Sequence, residues 1–129
     1  MLPLDTVQQA LLRVLSGSSF DEALLKQFFS ERYIQIVNGK SLDYAGFVAH
    51  IKLLKEVTQR LELTLISMAA AENDVHTHHT VRAIKNDGAE SEFEVFAHFE
   101  VEDGKIVSCR ELTHQIAGAV HDEDLGSRQ

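Results

Sequence analysis

Three side chains in the second half of the sequence have the types needed for proton chemistry: His79, Arg110 and His114. An imidazole titrates near neutral pH and exchanges protons, and a guanidinium grips a carboxylate or an enolate oxygen through paired N–H donors. Held together in an apolar recess, the trio would suit proton abstraction beside a carbonyl, or the binding of an acidic ligand. In a plain structural role, Arg110 would pair with a buried acid and the two histidines would hydrogen-bond within the core. A second group is His76-Thr77-His78, with His98 and Glu100 further along. Histidines two apart on a strand share a face and are compatible with zinc. Convergence of three donors requires more than a shared face, so this set is taken as an exposed or interface surface. No metal is assigned.

These residues are positioned by four strand-like segments between residues 60 and 116, RLELTLISMAAAE, DVHTHHTVRAIK, ESEFEVFAHFEVE and KIVSCRELTHQIAG. Each alternates apolar and polar residues, the period of a strand with one buried face. Asn73-Asp74, Asn86-Asp87-Gly88 and Asp103-Gly104 separate them as turns. Upstream, three amphipathic helices are predicted: one from about Asp5 to Gly17, one opening at Phe20-Asp21 with Ser19 as its cap, and one from about Asp43 to Thr58. A short strand around Tyr33–Val37 ends at Asn38-Gly39.

The hydrophobic pattern sets an expected register, because a slip of one residue exchanges the faces of a strand. Phe93, Val95, Ala97 and Phe99 should share the core-facing side with Val75, Val81 and Ala83, with Ala83 opposite Phe93. A two-residue turn at Asp103-Gly104 pairs Val101 with Ile106 and carries Ser108, Arg110 and His114 to the same inner side. His114 and His79 are then the candidate acid–base residues. Arg110, Thr77, Ser108, Phe93 and Phe99 are the candidate ligand-binding ones. The outer side receives the other histidines, Cys109 opposite His98, and the apolar Ile66, Met68, Phe96 and Val107. An apolar patch of that kind suits a homodimer through the sheet.

With 129 residues, 44% of them hydrophobic and 25% charged, the chain suits one soluble domain, residues 1–118, followed by a polar tail, residues 119–129, expected to be frayed or loosely docked. The net charge of −8 argues against nucleic acid or an anionic membrane as partner. No apolar run is long enough to span a bilayer, and a single cysteine suits a reducing compartment, so a cytoplasmic location is expected. There is no glycine-rich phosphate loop, nucleophile elbow or cysteine pair, and no cofactor is expected.

The order of elements and the ending VEDGKIVSCRELTH resemble the nuclear-transport-factor-2-like superfamily, in particular its SnoaL-like polyketide cyclase and ketosteroid isomerase branch. The resemblance rests on Asp103, Gly104, Lys105, Ile106, Val107 and Glu111 and covers about residues 5–118. It implies an α+β fold, a cone-shaped, curved, mostly antiparallel sheet wrapped around three N-terminal helices. It also implies a deep apolar pocket and, commonly, a homodimer. Where SnoaL-like cyclases typically carry an acid–base aspartate, His114 stands here. Two functions follow as expectations. One is a protein that binds a small hydrophobic carbonyl or acidic compound, with acid–base chemistry of the isomerase, cyclase or lyase type. The other is a non-catalytic ligand-binding or homodimerisation module of the same fold.

Overall fold

The computed structural model describes residues 1–129. Pro3 opens helix α1 (Pro3–Ala10), where its missing N–H costs nothing. The helix widens into a π-type turn over Leu11–Leu15, and Val7, Ala10, Leu11 and Val14 are buried. Helix α2 (Glu22–Phe28) is capped by Asp21, whose carboxylate accepts from Leu24 N at 3.1 Å, and not by Ser19. Helix α3 (Tyr44–Val57) is capped by Asp43, which accepts from Gly46 N at 2.8 Å. Phe47, Ile51 and Leu54 are its buried stripe, spaced as one helix face requires. On that helix Lys55 is buried too. Its ammonium donates to the carbonyls of Leu15, Ser16 and Gly17 at 2.7, 3.1 and 3.3 Å, satisfying the end of the π-type turn.

Six strands follow or interleave with the helices: β1 (Phe29–Val37), β2 (Lys40–Leu42), β3 (Thr58–Ala71), β4 (Asp74–Lys85), β5 (Glu90–Glu102) and β6 (Lys105–Ala117). They form one sheet in the order β2-β1-β6-β5-β4-β3, antiparallel except where β1 meets β6. Asn38-Gly39 and Asp103-Gly104 both have positive φ, the twist that two-residue hairpins favour. The sheet curls around the helices as the expected α+β cone. Its inner face and α1, α2 and α3 share a core of 22 buried residues. Phe29, Tyr33 and Phe47 meet there with ring centroids 4.7–4.9 Å apart.

Three departures from the expected pairing matter. Between β4 and β5, Val81 faces Phe93 and His79 faces Val95, two residues from the expected register. An even shift keeps every side chain on its expected face. Strand β3 is bulged between Leu65 and Ser67, so Ile66 stays exposed while Met68 packs against the core, not the outer patch. Between β5 and β6, Val101 pairs with Ile106 as expected, but Glu100 then pairs with Ser108. Val107 is the extra residue of a β-bulge, and it reverses the two faces of the strand beyond it.

Of the two expected states of the C-terminal segment, frayed or loosely docked, the structure has the docked one. A 3-10 turn at Val120–Asp122 buries the Asp122 carboxylate, which accepts from Lys85 Nζ at 2.7 Å and Ser91 Oγ at 2.6 Å. Leu125 joins the core. No helix is long and apolar enough to cross a membrane.

Candidate functional site

Between the inner face of the sheet and the helices lies a cavity of about 90 Å³. Its walls are mainly apolar, with Leu11, Phe29, Phe47, Ile51, Phe93, Val95 and Phe99 among them. The polar lining is Tyr33 and Gln35 from β1, His50 from α3, His79 from β4, and Cys109, Glu111 and Thr113 from β6. The β6 residues are there because of the bulge: Cys109 faces Phe99, Glu111 faces Ala97 and Thr113 faces Val95.

Glu111 is the one carboxyl in this lining. Burial raises its carboxyl from the ordinary 4.5 to about 7, because an ion in an apolar recess loses hydration. Its one side-chain hydrogen bond is a long one, 3.4 Å from Gln35 Nε2. Tyr33 donates to Gln35 Oε1 at 2.7 Å, so the phenol, the amide and the carboxyl form a chain along one wall. Burial, then Cys109 and Glu111, hold the Tyr33 phenol well above its usual range, which keeps it a neutral donor. Burial likewise raises the Cys109 thiol, with Glu111 adding to the shift, so it is not a poised nucleophile.

Burial disfavours the charged form of both cavity histidines. Burial, with a smaller effect from His78, lowers His79 to about 4. Its Nδ1 is hydrogen-bonded to Thr77 Oγ1 at 3.0 Å. Burial also lowers His50, whose Nδ1–H donates to the Arg128 carbonyl at 2.7 Å, a bond that works partly against the shift. An uncharged imidazole there can accept or donate a hydrogen bond without the cost of a buried charge.

Of the residues singled out from sequence, His79, Phe93 and Phe99 line the cavity, and Thr77 stands behind His79. Ser108, Arg110 and His114 do not. The bulge turns them to the other face, where Ser108 faces Glu100, Arg110 faces His98 and His114 faces Glu94. Arg110 and His114 are exposed, which spares the fold the burial of a guanidinium. Glu111 and Cys109 take the inward places. Sequence reasoning assigned Cys109 outward and saw in Glu111 only part of a family ending. The adjacent apolar pair Ile106-Val107, followed by an improbable inner load of Ser, Arg and His, was the available signal for a change of face.

The outer histidines settle into local pairs. His78 Nε2 donates to Glu94 at 2.8 Å and stacks on Phe96, with ring centroids 4.1 Å apart. His98 Nε2 donates to Asp74 at 2.8 Å and stacks on His76. The metal-ligand types that come together on this face are Asp74, His98 and Glu100, within 4.8 Å of one another. The hydrogen bond from His98 to Asp74 accounts for that placement without a cation.

Residues 9–109 match the SnoaL-like domain. An uncharacterised protein of Schizosaccharomyces pombe is 31% identical over 119 residues, 92% of either chain. Among solved structures, a candidate polyketide cyclase of Streptomyces antibioticus, IdmH, superimposes with a TM-score of 0.73 at 16% identity, covering 88% of this chain and 92% of that one. An epoxide hydrolase of Mycobacterium tuberculosis gives 0.70 at 17% identity, covering 97% and 88%. At such identities the two structures speak for the fold alone, the nuclear-transport-factor-2-like cone. The match over residues 9–109, together with the yeast relative, shows that the chain belongs to the SnoaL-like family.

Proposed function

We propose that the cavity binds a small hydrophobic carbonyl compound and that Glu111 exchanges a proton with the carbon beside the carbonyl. The observation that carries this is the Glu111 carboxyl at about 7, facing an apolar cavity. A group poised near ambient pH is available as base and, once protonated, as acid. His79 lines the same cavity and takes a different role from the acid–base one expected for it. It is neutral, so it serves as a hydrogen-bonding partner for the carbonyl oxygen and not as a charged acid. Phe93 and Phe99 enclose the apolar body of the ligand. This chemistry is of the isomerase or cyclase type and calls on no cofactor.

The test is deuterium uptake from D2O into small cyclic ketones, followed by NMR. The wild type should accelerate exchange beside the carbonyl, and Glu111→Gln should be slower by roughly 100-fold or more. Exchange unaffected by the substitution would remove Glu111 from the chemistry. A wild type that accelerates nothing would leave the non-catalytic alternative standing.

A second reading concerns assembly. Phe96 and Leu112 are neighbours on the outer face, 52% and 69% exposed, with Ile66 and Ile116 also uncovered. An open sheet face of this character supports a homodimer formed through the sheet. Leu112→Asp should then convert the dimer to a monomer in analytical ultracentrifugation. A wild-type monomer at all concentrations would sink the idea.

A further inference from the structure

We propose that the apolar cavity is one half of a longer binding site, divided by the docked C-terminal segment 119–129. With that segment swung out, the site takes an elongated compound with an apolar body and an uncharged polar end. The proposal rests on the cavity being a ligand site, and it adds the shape and polarity of the ligand and the way in.

Next to the cavity is a cleft of about 570 Å³, lined by ten residues of which only Val37 is hydrophobic. The two spaces share Thr113 and Gly126 in their walls. Gly126 lies against Thr113, since a Cβ there would meet the Thr113 methyl at 3.4 Å. The partition between the spaces is therefore a contact between β6 and the tail. Thr113 Oγ1 is buried at this contact with no hydrogen-bond partner, a cost that a ligand hydroxyl crossing the boundary would remove. Leu125, from the same segment, closes the cavity from the tail side.

The segment is built to leave as a piece. It contributes no strand to the sheet, and its backbone bonds are internal, from Asp122 N to Ala119 O through Arg128 N to Asp124 O. The Arg128 guanidinium also turns back onto Asp124 and the His121 carbonyl. Its polar ties to the body include the Asp122 carboxylate on Lys85 and Ser91, the Arg128 carbonyl on His50, and the Ala119 carbonyl on Gln115. Gly118, with φ +113°, stands where a hinge would be. The charge of the cleft sets the polar end of the ligand. Lys40, His114 and Glu123 line it together with Asp124, which is already paired with Arg128, so the lining carries both signs and favours neither a cationic nor an anionic end. A hydroxyl or amide is the matching chemistry.

Cys109, the only cysteine, lies in the cavity wall and reports access without a known ligand. The full-length wild type, Asp122→Ala and Leu125→Ala would be labelled with N-ethylmaleimide in native buffer and followed by mass spectrometry. Asp122→Ala releases the tie to Lys85 and Ser91. Leu125→Ala withdraws the plug and keeps that tie. Labelling at least 10-fold faster than wild type in both variants is expected, at a rate independent of urea below the unfolding transition. Octan-1-ol should then slow labelling of Asp122→Ala by 10-fold or more.

Wild-type rates in both variants, or acceleration that follows urea as global unfolding does, would overturn the partition. Acceleration that octan-1-ol leaves unchanged would overturn the joined site. Neither readout involves turnover. If Glu111→Gln leaves deuterium exchange intact while labelling behaves as expected, the proton chemistry fails and the joined site stands.

Discussion

Replacing Glu111 by glutamine should make this protein more stable at alkaline pH. Burial raises the carboxyl from 4.5 to about 7, so the folded chain retains a proton that the unfolded chain has released. Between those values the folded state binds more protons, and stability falls as pH rises; above about 7 the loss is complete, and below 4.5 it is absent. Ionising such a carboxyl inside the fold costs roughly 3 kcal/mol at full value. Glu111 keeps some exposure, so solvent screening reduces the expected effect to about 1–2.5 kcal/mol. Glutamine cannot ionise and can keep its contact with Gln35, so it avoids the penalty. Urea denaturation of both proteins at several pH values from 5 to 8 is the assay, because the shifts of His50 and His79 are common to both and cancel. The gap in favour of Glu111→Gln should widen by that amount from pH 5 to pH 8. A gap that does not change with pH would refute the argument.

Two further substitutions probe the frame that holds the cavity. Gly118→Ala combines a φ of +113° with a Cβ that would sit 2.8 Å from Ser91 Cα, so a loss of roughly 2–4 kcal/mol is expected, seen as a lower Tm in thermal melts. Lys55→Met keeps the packed stem but leaves three carbonyls of Leu15, Ser16 and Gly17 without their donor. It should cost roughly 2–3 kcal/mol in urea denaturation.

Much of the fold was legible because it rests on local signals. The spacing of Phe47, Ile51 and Leu54 announced α3, and the alternation through β5 announced which of its faces is buried. The register of β4 on β5 was two residues out, but an even shift left His79, Phe93 and Phe99 on the correct side. The β6 strand was different. Its bulge at Val107 depends on how the sheet bends around its core, and one extra residue sent Arg110 and His114 out and brought Cys109 and Glu111 in. The tail was illegible for a related reason. Asp122 and Leu125 look like ordinary members of an acidic terminus until Lys85, Ser91 and the core are placed beside them.

The proposed chemistry needs Glu111 to be a cavity carboxyl raised toward neutrality by burial. The most direct measurement is an NMR pH titration of its side-chain carbonyl carbon in 13C-glutamate-labelled protein, assigned by comparison with Glu111→Gln. The predicted midpoint is about 7. A midpoint near the ordinary 4.5 would mean that the side chain is hydrated, and would contradict both its inward placement and its proposed part in proton exchange.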